Sequence, residues 1–208
     1  MFNVNKNLNR IYSILDFNFE YTKNSFKYLC NFLIDLKNIG KFITFDDAIS
    51  GNFDSKIPNF ILDHHIDYYP LETLELAKWE YDNEIISNIF IFNKIYDEQS
   101  NYSQKTYSVE DLDIPFLRKC EQKGFNIGYH VNALGQAKIE DKSTRYSENL
   151  YDNIQPQLNL INRSKEIFNQ DLANLRKYFN ITNAIPHGAG EGNNCLLYTS
   201  PSPRDGLL

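Results

Sequence analysis

The chain has 208 residues, 42% of them hydrophobic and 23% charged, with a formal net charge of -6. Those proportions belong to an ordinary folded domain with a real core, and a negative balance without a Lys/Arg cluster argues against a nucleic-acid partner. No segment approaches the roughly 18 uninterrupted apolar residues of a membrane span, and residues 1–21 carry no apolar signal core, so a cytoplasmic protein is expected.

Residues 1–21 read as an arm or short helix. From Thr22 or Asn24 as N-cap, Phe26, Leu29, Cys30, Leu33 and Leu36 recur at helical spacing and predict an amphipathic helix, closed by Gly40 as its C′ residue. Residues 42–45 read as a strand, Asp46-Asp47 as the cap of a short helix, and residues 59–63, after Pro58, as a second strand. Pro70 suits the first position of a helix to about residue 83, with Leu71, Leu74, Leu76, Ala77 and Tyr81 inward. A buried strand over 85–92 and a long loop over 93–107 follow. Ser108 is expected to cap a helix through Leu112, Phe116, Leu117 and Cys120, ended by Gly124. Residues 125–130 form another strand, 132–152 a loop or short helix, 156–179 a long helix or broken pair, and 181–186 a last strand. Strand and helix alternate throughout, which predicts a parallel α/β architecture. Cys30, Cys120 and Cys195 have no CxxC spacing, and Cys30 and Cys120, within helical patterns, read as reduced thiols.

The four histidines, His64, His65, His130 and His187, all fall at or just past the ends of strand-like runs. If neighbouring parallel strands carry them, Asp67, His130 and His187 converge at one end of the sheet. Two His and one Asp with positions left for water are a usual set for a catalytic divalent metal, Zn²⁺ among others, and such a metal suits hydrolysis of an amide or ester. Each residue also has a plainer role. His64 and His65 read equally as a hydrogen-bonded strand end, Asp63 or Asp67 as a cap for the helix at Pro70, His130 as a core histidine, and His187 as part of a glycine-rich turn. That turn is not a phosphate loop, since no Lys-Ser/Thr ending follows it.

The runs FITFDDAI (42–49), FILDHHIDYYP (60–70), LELAKWEY (74–81) and GFNIGYH (124–130), followed by residues 168–172 and His187-Gly188, resemble the polysaccharide deacetylase-like family of NodB-homology domains. The branch they resemble has a first motif reading Arg-His-Asp-x-Asp, and the likeness spans roughly residues 24–192 in order. A rival register, taking Thr44-Phe45-Asp46-Asp47 as the Thr-Phe-Asp-Asp motif of ordinary deacetylases, is set aside because no helix and Phe-rich strand follow it directly. The resemblance implies a (β/α) barrel and metal-dependent removal of acetyl groups from an N- or O-acetylated sugar or glycan precursor. Matched residue by residue, Asp67 and His130 take metal positions, His187 the later His-Gly position, and His64 the motif's histidine, read as substrate-binding. His65 stands where the family has its catalytic Asp and is the candidate base. Asp63 replaces Arg, Phe125 replaces the His of Gly-His-Glu-Ile-Gly, and Leu134 stands where a second His would follow His130. A glycan-binding or scaffolding homologue that lost its base, and a different metal-dependent amidohydrolase, are the other readings.

Residues 195–208, CLLYTSPSPRDGLL, lack Asn, Lys, Ile and Phe and resemble translated sequencing-adapter sequence. The expected domain is therefore residues 22–194, an incomplete NodB-like barrel whose remaining strands would follow Asn194.

Overall fold

The computed structural model describes residues 25–67, 69–96, 105–140 and 154–187. The expected N-terminal arm, the caps Thr22 and Asn24, most of the 93–107 connection, residues 141–152 and the 195–208 tail lie outside them. The described chain is mixed α/β with parallel strands. Among the described residues, no helix is long and apolar enough to cross a membrane.

Helix α1 (Ser25–Ile39) buries Cys30, Leu33 and Leu36, as its spacing predicts, but leaves Leu29 half-buried and Phe26 exposed. Gly40 ends it for a different reason from the one expected. Among the described residues the positive-φ glycines are Gly51 and Gly124; at Gly40 an added Cβ would lie 2.4 Å from the Pro58 carbonyl oxygen and 2.6 Å from the Phe60 ring. The glycine lets two backbones touch where β1 (Lys41–Ile43) pairs with β2 (Asn59–Ile61) in parallel. Between them, Thr44 and Asp47 form a capping box on α2 (Phe45–Ser50).

Four strands form the central parallel sheet, in the order β3 (Asp63–Ile66), β4 (Asn88–Ile91), β7 (Asn126–Val131) and β8 (Ala184–Pro186). Strand order follows chain order. The crossovers carry α3 (Pro70–Asp82), α4 (Ile114–Gln122), then α5 (Ala133–Glu140) and α6 (Ile154–Leu175). In α3, Leu74 and Ala77 are buried but Leu71 is 74% exposed, contrary to expectation. At 100° per residue, Leu71 stands about a quarter-turn from the direction shared by Leu74, Ala77 and Tyr81.

Two further expectations change. Both ends of the 93–107 stretch are strands, β5 (Lys94–Tyr96) and β6 (Lys105–Ser108), paired antiparallel, with Ile95 and Tyr107 buried. Ser108 caps only a 3-10 turn, Val109–Asp111, and α4 starts later behind Asp113. Pro115 explains the restart: it has no N–H to give and is tolerated only in a helix's first turn.

Residues paired across a sheet share a face. Ile66, Ile89, Ile91, Ile127, Tyr129 and Val131 join Leu74, Ala77, Leu117, Cys120, Leu160, Ile167 and Leu175 in the main apolar core, so one face carries the helices. Each fully buried residue such as Ile89, Ile91 or Leu117 contributes about 1.5–3 kcal/mol. The opposite face takes the other parity, with His65 level with Phe90 and Gly128. Its N-terminal end is closed by α2, where Phe45 N–H donates to Asn88 Oδ1 and Asp46 accepts from Asn126, Thr182 and Asn183.

Candidate metal centre

The sheet register builds the site. Ile66 pairs with Ile91, and Ile91 with Tyr129, so the next residues, Asp67, Phe92 and His130, stand level on three neighbouring strand ends. His130 pairs with Ile185, and His187 follows two residues on, hence on the same face. Its N–H donates to Val131 C=O at 2.8 Å, which carries β8's path past its last paired residue.

Asp67, His130 and His187 each offer a ligand atom within 4.8 Å of the other two. Asp67 Oδ1 lies 3.1 Å from His130 Nδ1 and 4.0 Å from His187 Nδ1. These separations bracket the edge, about 3.4 Å, of a tetrahedron built on metal–ligand bonds of about 2.1 Å. Asp67 Oδ1 and His130 Nδ1 are buried and face each other at 3.1 Å without the alignment of a hydrogen bond, and neither has another partner. A buried polar atom left in this way calls for an explanation, and a bound ion is one. The donor set therefore fits a divalent cation. The Asp67 side chain is 36% exposed against 2% for His130, so the group opens to solvent on the Asp67 side.

Electrostatics suit the same assignment. Burial raises the Asp67 carboxyl, but the adjoining His130, with His187 and His65 further out, outweighs it and holds the group below its ordinary range. Burial pushes His130 below the usual imidazole range, with Asp67 opposing. One ligand is thus kept ionised and another neutral, the forms that bind metals.

Phe92 is the floor. The His130 ring stacks on it at 4.4 Å between centroids, and His187 meets it edge-on at 5.1 Å. Neither contact was legible in the sequence, where Phe92 reads only as the end of a buried strand.

His65 and His64 diverge. His65, two residues before Asp67 on the same face, brings its ring 4.6 Å from that of His130, and its Nε2 pairs with Asp63 Oδ2 at 2.9 Å. His64 turns to the helical face, where Nε2 meets Glu80 Oε1 at 2.7 Å; Ser87 Oγ donates to the other Glu80 oxygen at 2.8 Å. Glu80 is fully buried and was missed in the sequence, where it sits among the exposed charges of α3. A shallow groove of about 440 Å³ between α1, α3 and β3 is lined by Asp63, His64, His65, Phe26, Glu72, Thr73 and Leu76.

Compared with protein-family models, curated proteins and solved structures, the chain matches none.

Proposed function

We propose that this protein is a metal-dependent hydrolase that removes acetyl groups from an N- or O-acetylated sugar or glycan precursor, on a NodB-like (β/α) barrel. The observation that carries the reading is the convergence of Asp67, His130 and His187 on one face at the C-terminal ends of β3, β7 and β8. Active sites of barrels lie at that end. Strand order that follows chain order, with helices in every crossover, supports a barrel wall over a doubly wound sheet, where the order reverses. The substrate class rests on the motif resemblance. The cytoplasm is part of the same reading, supported by Cys30 and Cys120, both free and buried.

Asp67, His130 and His187 would hold the cation, for which zinc suits the ligand set. Once bound, such a cation lowers the pKa of its water and polarises an acyl carbonyl. The chain's own residues do the rest. Asp67 and His130 bring a carboxylate oxygen and a ring nitrogen to 3.1 Å from each other beside the Phe92 ring. His65 keeps its Nε2–H on Asp63, which leaves Nδ1 with the lone pair that takes the proton of the attacking water.

The test is zinc content. The purified full-length protein should carry about one zinc per chain, and a His130→Ala variant should lose it. A wild-type protein that neither retains zinc nor takes it up would end this reading.

A further inference from the structure

Tyr107 comes from the β5–β6 hairpin and buries its ring beside Phe92, with centroids 6.4 Å apart. Its hydroxyl makes two backbone contacts. It donates to the carbonyl of Ile66, the residue before Asp67, and accepts from the N–H of Phe92 at 3.2 Å. Ile66 is the last residue of β3, and Phe92 follows the last residue of β4. Among the described residues no ladder bond joins the two strand ends beyond those points, so one phenol stitches them together where the candidate ligand begins. Burial pushes the phenol far above its ordinary range, so the hydroxyl stays protonated and available as a donor.

Resting on the metal-site reading, we infer that Tyr107 is a positioning residue for the metal centre. Its hydroxyl fixes the distance between the Asp67 strand end and the Phe92 platform on which His130 stacks. Groups that orient metal ligands from outside the coordination shell typically change affinity by 10–100-fold when removed.

The experiment is zinc affinity, measured by chelator competition, on the full chain and on Tyr107→Phe and Tyr129→Phe. Tyr129 is a suitable control. It is also a buried tyrosine, but its hydroxyl bonds to Asp171 on the helical face at 2.8 Å, away from the site. The expected result is affinity about tenfold weaker in Tyr107→Phe, with Tyr129→Phe unchanged. A hydroxyl that merely stabilised the fold would lower the melting temperature of Tyr107→Phe and leave zinc affinity at the wild-type value; that outcome overturns the inference. Wild-type protein that binds no zinc overturns the metal-site reading itself, and the two failures are told apart by the wild-type titration alone. Should Tyr107→Phe fail to fold, hydrogen exchange at the Phe92 amide of the wild type decides. Zinc should slow it, and an unchanged rate refutes the coupling.

Discussion

Replacing His64 by Ala should destabilise the protein without touching zinc uptake. The His64 side chain is 11% exposed and Glu80 is fully buried, and the carboxylate has two donors, His64 Nε2 at 2.7 Å and Ser87 Oγ at 2.8 Å. Deleting the imidazole removes a hydrogen bond to a buried carboxylate, worth about 1.5–3 kcal/mol, and leaves that group half-satisfied, which carries the total for such breaks toward about 3–5. We take about 3 kcal/mol, which for a chain of this size is a loss of about 6–12 °C in melting temperature. The His65–Asp63 pair makes the internal comparison. Its side chains are 39% and 44% exposed, so His65→Ala should cost under about 1 kcal/mol. His64→Gln, which keeps an N–H donor, should recover part of the loss. Urea unfolding of the three variants at one pH is the assay. If His64→Ala lies within about 0.5 kcal/mol of wild type, or no further down than His65→Ala, the buried pair is not what holds α3 to β3.

A Cβ added at Gly128 would sit 2.3 Å from the ring of Phe90, which is fully buried and has the Phe45 and His65 rings each 5.9 Å away. Gly128→Ala should therefore cost about 1–3 kcal/mol, read as a lower melting temperature; an unchanged one would mean that Phe90 moves freely. Asp171 accepts from Tyr129, Asn93 and Gln136, yet burial outweighs these bonds and raises its carboxyl above the ordinary value of 3.8. The folded state thus holds this proton more tightly than the unfolded chain. Its stabilising share is complete below about pH 3.8 and is lost as pH rises through the folded value. Asp171→Asn should flatten that decline in urea midpoints taken upward from pH 4, and parallel curves for the two proteins would count against it.

What the sequence made legible is what period and composition control. The apolar runs before Asp63, at 85–92 and at 125–130 lead into β3, contain β4 and cover all but the last residue of β7, and the positions of Asp67, His130 and, after the 181–186 run, His187 brought the triad together. Other features depend on partners far away in the chain. The β5–β6 hairpin has only three and four residues in its two strands, too few for alternation to stand out from a polar background. Its contribution to the site, Tyr107, acts through backbone groups of Ile66 and Phe92 that no side-chain pattern reports. The divergence of His64 and His65 follows from the alternation of side chains along a strand. It was hidden because Asp-His-His is a poor strand sequence and the strand seemed to end at residue 63, whereas pairing with β4 carries it to Ile66.

The two acidic positions that competed for the first motif show how a site is told from an anchor. Asp46 lies at the N-terminal end of the sheet and accepts from Asn126 Nδ2 at 3.1 Å, Thr182 Oγ1 at 2.8 Å and Asn183 Nδ2 at 2.8 Å. Asp47 closes the capping box with Thr44. Both carboxylates are supplied with donors, Asp46 tying α2 across the strand starts and Asp47 closing its cap, structural uses that explain their presence. At the other end, Asp67 stands among three imidazoles, its Oδ1 3.1 Å from His130 Nδ1 but without the alignment of a hydrogen bond. Acidic and polar residues gather at both ends of the same face. Among the described residues, only one end gathers the ligand atoms of two histidines and an aspartate within 4.8 Å of one another, and that grouping, rather than composition, is the physical ground for proposing a metal at Asp67, His130 and His187.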